Sequence, residues 1–232
     1  MPLSAMILGG FLFMSVSVGG AFAWIVSKLF QQTTHGLSLL CGGFLIGLLA
    51  LDIIPSAFKV YPPFGILLGV LIGYLLFHVL RNLTHPTNAQ TPSLYLLAIA
   101  MVLHTIPLSM TIGNLLGDST LGITITTSTI LHHLPEGFAL TTALLSQGKQ
   151  LWSLLLIFIS LSMCFSIFIW IGHYANFTDK TQGILMGVSI GLIAMTSISE
   201  FILHNQRTMP MRSFLTYILM GYLLSYLFHL MV

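Results

Sequence analysis

Residues 131–140, LHHLPEGFAL, place two histidines, a proline and a glutamate inside a long apolar run. Imidazole and carboxylate together suit zinc and related transition metals. His132 and Glu136 are four residues apart, so both project from one face of a helix. Pro135, between them, has no N–H to offer the carbonyl of Leu131, and the helix should bend there. In lipid, a carbonyl freed this way is tolerable only if protein buries it or it lines a wet cavity. His133 points one position round, towards a neighbouring ion position or a carbonyl cap. An earlier stretch, HTIPLS at 104–109, echoes this pattern: His104 precedes His132 by 28 residues, and Pro107 precedes Pro135 by the same interval. The two stretches read as a metal site between two kinked helices, or as a hydrogen-bonded His/Glu network with a proton-relay role.

The chain carries only five acidic residues. Asp118 and Asp179 fall in links between apolar runs and read as surface charges. Asp52, Glu136 and Glu200 fall within the runs, where a charge costs about 2.5–3.5 kcal/mol at mid-membrane and so marks function by default. Glu200 and His204 are a second i, i+4 pair, either a relay site on the exit side or a mutual ion pair. Asp52 is placed to greet a cation or to pair with Lys59. His35, His78, His85, His173 and His229 read as structural or interfacial.

These residues need a scaffold that spans lipid. The 232-residue chain is 56% hydrophobic and only 5% charged, against about 25% charged in soluble domains. Runs of about 20 apolar residues read as membrane helices. Eight are expected, at 5–27, 36–58, 62–80, 92–116, 119–146, 150–174, 183–204 and 212–231, making an all-α membrane protein with one integral membrane domain over 1–232. The Ala21–Ala23 stretch resembles a cleavage site, but no Lys or Arg precedes Lys28, so the first run is expected to be a retained helix. Lys28, Arg81, Lys149, Arg207 and Arg212 fall in links on one side, and Lys59 and Lys180 on the other. That bias places the odd-numbered links in the cytoplasm and both termini outside. Cys41 and Cys164 read as packing residues. The net charge of +2 is spread over loop ends, and the absence of a basic stripe argues against nucleic acid. Without H-E-x-x-H, an intramembrane metalloprotease is disfavoured, and no enzymatic role or resident cofactor is expected.

The chain also repeats itself. GFLIGLLALDIIPS (43–56) aligns with GVSIGLIAMTSISE (187–200), matching Gly43 with Gly187, Gly47 with Gly191 and Ala50 with Ala194. On the expected topology these two runs point in opposite directions, the sign of an inverted repeat of the kind secondary transporters use. With the 104–109/132–137 echo, the expected arrangement is 3+2+3: three helices, a central pair, then three related to the first set.

At this point the residues resemble the ZIP family of metal-ion transporters, especially its bacterial GufA-like branch. HHLPEG is similar to that branch's fifth-helix motif, and HTIPLS to a degraded fourth-helix His-Asn-x-Pro-Glu-Gly. The resemblance implies a metal site between the fourth and fifth helices in which His104, His132 and Glu136 are ligands. It implies that His133 stands where an Asn or Asp ligand is usual, and that Glu200 lies on the cytoplasmic exit path. The departures are Thr105 for Asn, Leu108 for Glu, Ser109 for Gly, Ser56 where an acid often stands, and a sixth helix without acid. At most one well-formed site is therefore expected. The function implied is a divalent metal cation (zinc, iron or manganese) carried into the cytoplasm across a bacterial plasma membrane. The alternative is a ZIP-like protein that has lost transport and acts as a sensor or a membrane partner. The partners expected are the cation and the bilayer, and a homodimer is compatible with both readings.

Overall fold

Apolar chain in lipid must satisfy its own backbone hydrogen bonds, and a helix does so within one segment. The computed structural model describes residues 2–30, 34–84, 94–115, 119–148, 150–175, 178–206 and 209–231, and among these every regular element is a helix. They are α1 (Pro2–Phe30), α2 (Thr34–Leu48), α3 (Ile54–Val60), α4 (Pro63–Thr84), α5 (Leu94–Leu115), α6 (Ser119–Ser146), α7 (Leu151–Tyr174), α8 (Asp179–Met195) and α9 (Met211–Met231). Asp118, His85, Lys149 and Arg207, used above for topology and site reading, lie outside the described residues, as does the side chain of His132. Six described helical stretches are long and apolar enough to cross a membrane: Ser4–Lys28, His35–Val60, Pro63–Leu83, Trp152–Tyr174, Asp179–Asn205 and Met211–Leu230. Leu97–Gly113 is a shorter apolar helix.

Two of these stretches change pitch along their length. α2 passes through a π-helical turn, Leu49–Ile53, before continuing as α3, and α8 passes into another, Thr196–Ile202. Asp52 and Glu200 sit in these turns. Such turns are rare and frequent at functional sites.

The helices pack mainly in pairs: α4 on α8, α2 on α9, α1 on α6 and α5 on α7. Each pair meets through glycines whose missing Cβ lets backbone touch backbone, the usual device for close packing in lipid. A Cβ at Gly43 would collide with the Ile218 backbone, and one at Gly221 with Leu40. The other pair of helices repeats this contact: a Cβ at Gly187 would strike Ile66, and one at Gly69 would strike Ile184. The same duplication links α1 and α6, through Gly19 with Leu134 and Gly137 with Val16, to α7 and α5, through Gly172 with Met110 and Gly113 with Ile169. The sequence match between Gly43 and Gly187 is thus also a match of contacts. Large exposed apolar side chains crowd α1, α4, α7 and α9, whereas Ala100, Met101, Phe138 and Ala139 of α5 and α6 are buried.

Candidate functional site

α5 and α6 each carry an internal proline, Pro107 and Pro135, and each brings buried polar groups to the interior. His104 on α5 is 1% exposed, and His133 and Glu136 on α6 are 0% exposed. The Glu136 carboxylate lies between the two imidazoles: Oε1 is 3.5 Å from His104 Nε2, and Oε2 is 2.6 Å from His133 Nδ1. The His104 and His133 rings stand 6.4 Å apart, and His133 packs edge-on against Phe165 at 6.0 Å. A buried carboxylate is costly unless a positive or hydrogen-bonding partner faces it, and here two imidazoles do.

His133 does not stand apart from Glu136: its Nδ1 lies within hydrogen-bonding distance of the carboxylate, since an i, i+3 spacing also shares a helix face. No three His, Cys, Asp or Glu side chains among the described residues form a group able to hold a metal ion. His104 and Glu136 remain as a facing pair from two helices. The backbone of His132 belongs to α6, one position from His133.

The positions that depart from the resemblance are accounted for on α5 itself. Thr105 Oγ1 donates to the Met101 carbonyl at 2.8 Å, and Ser109 Oγ approaches the Thr105 and Ile106 carbonyls, each at 2.8 Å. Hydroxyls spent on their own helix turn inward along the backbone. Leu108 has no donor to offer and packs against the apolar core.

α1 packs against the Pro135 turn of α6. Val16 meets Gly137 and Leu134 meets Gly19 at backbone distance, and Ser15 Oγ donates to the Ile130 carbonyl at 2.6 Å. These contacts also give a second register for the α5/α6 echo. Met110 occupies in its glycine contact the place that Leu134 occupies in the other, and Gly113 that of Gly137, so by position Leu108, not His104, is the equivalent of His132. The two His-x-x-Pro stretches are therefore about one helical turn out of step with the packing.

Glu200 is drawn elsewhere. It is 4% exposed, and its Oε1 lies 3.2 Å from Nε of Arg81 at the end of α4. The Arg81 guanidinium in turn lies 6.0 Å over the Phe77 ring. Asp52 accepts a 3.4 Å hydrogen bond from Ser56 and lines a small cavity with Leu48, Pro135, Ser225 and His229. His35 Nδ1 lies 2.8 Å from Asn205 Oδ1, and the Asn205 amide donates to Ser38 Oγ and to the Phe201 carbonyl, both at 2.9 Å. Cys41 and Cys164 are free thiols.

Sequence reasoning missed a polar cluster of Tyr61, Thr111 and Gln182. Thr111 Oγ1 donates to Gln182 Oε1 at 2.7 Å, and the Tyr61 hydroxyl stands 3.1 Å from Thr111 Oγ1 and 3.4 Å from Gln182 Oε1. Burial, opposed by the Thr111 hydrogen bond, pushes the Tyr61 phenol above its ordinary pKa, so the hydroxyl keeps its proton. The signal available was Gln182, an uncharged amide near the start of an apolar helix. Neither any protein-family model nor any curated protein sequence matches this chain.

Proposed function

We propose that this protein is a secondary transporter that carries a divalent transition-metal cation (zinc, iron or manganese) into the cytoplasm through a site between α5 and α6. The observation that supports this best is Glu136, a fully buried carboxylate flanked by imidazoles from two helices with internal prolines. His104 and Glu136 supply two donors, and His132, one helical turn before Glu136, is placed by spacing to supply a third. An open set of three protein ligands suits a cation in transit better than a closed four-ligand structural site. His133 then orients the carboxylate, as outer-shell partners of metal ligands do. Glu200, balanced by Arg81, lies on the exit side.

The architecture proposed with it is eight spans in 3+2+3 order, an inverted repeat and both termini outside. The duplicated glycine contacts and the bias of basic residues support it. One helix group shifting against the other would expose the site to each side in turn. The family proposed is the ZIP transporters, in their bacterial GufA-like branch, and the location a bacterial plasma membrane. Glu136→Ala is expected to abolish zinc uptake into proteoliposomes while the protein still inserts at parental levels. Parental uptake by that variant overturns the reading.

Leu108 and the inward-bonded Thr105 and Ser109 favour a second reading, a ZIP-like fold that no longer transports and serves as a sensor or membrane partner. Equilibrium dialysis of the purified protein against zinc separates the two, since complete absence of binding excludes transport.

A further inference from the structure

His104, Leu108 and Thr111 follow one another at i, i+4 and i+7 along a single face of α5. That face runs from the buried histidine to the Tyr61/Thr111/Gln182 cluster. Tyr61 belongs to the turn between α3 and α4, and Gln182 to α8; they are 6% and 5% exposed. The Tyr61 hydroxyl lies 3.1 Å from Thr111 Oγ1, and the Thr111 O–H is shared between Gln182 Oε1 at 2.7 Å and the Pro107 carbonyl of its own helix at 2.9 Å. α5, which carries His104, is thereby tied to two elements at once.

The duplicated glycine contacts show what stands at the opposite end of the bundle. Gly187 corresponds to Gly43, Ile66 to Ile218 and Gly113 to Gly137. Carried along these correspondences, Gln182 falls on Ser38, Tyr61 on Ser213 and Thr111 on Pro135. Proline has no hydroxyl, and Ser38 Oγ accepts from the Asn205 amide at 2.9 Å. α6 instead meets α2 through the Cys41 thiol, which donates to the Ala139 carbonyl at 3.3 Å, a weak donor. Among the described residues, α5 is therefore fastened at one end by hydroxyl hydrogen bonds, and α6 meets α2 at the other through a thiol contact.

We propose that Tyr61, Thr111 and Gln182 form a latch that seals the α5 side of the site at the Tyr61 end and parts whenever the site opens there. This rests on the reading of a site exposed alternately to two sides, but not on the identity of the cargo.

The test is the labelling rate of a single cysteine, Leu108→Cys in a C41A/C164A background, by a membrane-impermeant maleimide applied from the Tyr61 side. Thr111→Val and Tyr61→Phe each remove one hydroxyl and little volume. Each is expected to raise the labelling rate about three- to twentyfold, the worth of one membrane-buried hydrogen bond of average to high strength. Thr111→Ser, which keeps the hydroxyl, is expected to restore the parental rate. Equal labelling of Thr111→Val and Thr111→Ser, or a parental rate in Tyr61→Phe, overturns the latch. Only variants whose detergent-solubilised protein elutes and melts like the parent are compared, so a folding defect does not pass for opening. Metal uptake does not enter the readout, so loss of the transport reading leaves this result interpretable.

Discussion

His104 Nε2 and Glu136 Oε1 face each other at 3.5 Å across the boundary between α5 and α6. The gap is wider than a good hydrogen bond and is about the spacing of two ligands on one tetrahedral zinc ion. On α6 itself the contact is tighter, 2.6 Å from His133 Nδ1 to Oε2. The two histidines thus stand in different relations to one carboxylate, and three consequences can be measured.

The histidines should separate in their effects on metal affinity. If His104 is a ligand, His104→Ala removes a donor and is expected to abolish zinc binding in titration calorimetry. If His133 only orients Glu136, His133→Ala should weaken binding about 10–100-fold, the usual cost of losing an outer-shell partner. Equal losses from the two substitutions would show that His133 touches the ion as well.

Leu108 can be asked to supply what α5 lacks. Four residues on from His104, it shares that histidine's helix face, and Leu108→Glu places a carboxylate there one turn away. The expected outcome is a rise in zinc stoichiometry from one ion to two in equilibrium dialysis. A stoichiometry unchanged at one, in a variant that inserts normally, would mean that the second position lacks more than an acid.

Stability should discriminate sharply among glycines. Gly137→Ala drives a methyl into the Val16 backbone, which has no flexible side chain to move aside, whereas a Cβ at Gly10 meets nothing within 4 Å. Overpacking of this kind costs about 1–3 kcal/mol. Thermal melts in detergent should show a clear loss for Gly137→Ala and none for Gly10→Ala, and equal melts would contradict the backbone seam.

Much of the scaffold was legible because apolar length and helical spacing are local properties. The apolar runs became helices with nearly the expected ends, and Gly43 and Gly187 proved equivalent in contact as well as in sequence. The site was half legible. His104, His133 and Glu136 were singled out by chemistry, yet the hydrogen bond chosen by Glu136 was not. Spacings of three and four both share a helix face, so the spacing alone did not single out His133. The Arg81 contact of Glu200 was not legible, because Arg81 is remote in sequence. The alignment of His104 with His132 followed residue identity, and the packing follows glycines. The Tyr61–Thr111–Gln182 cluster was invisible because its members come from three separate segments and none is charged.

The seam between α1 and α6 has a mechanical consequence. Where Val16 meets Gly137, no side chain stands between the two backbones to absorb a displacement, and close-packed interiors transmit strain. Glu136 is the residue immediately before Gly137. A small rotation of α1 is therefore passed to the backbone beside the carboxylate, which makes α1 a lever arm on Glu136.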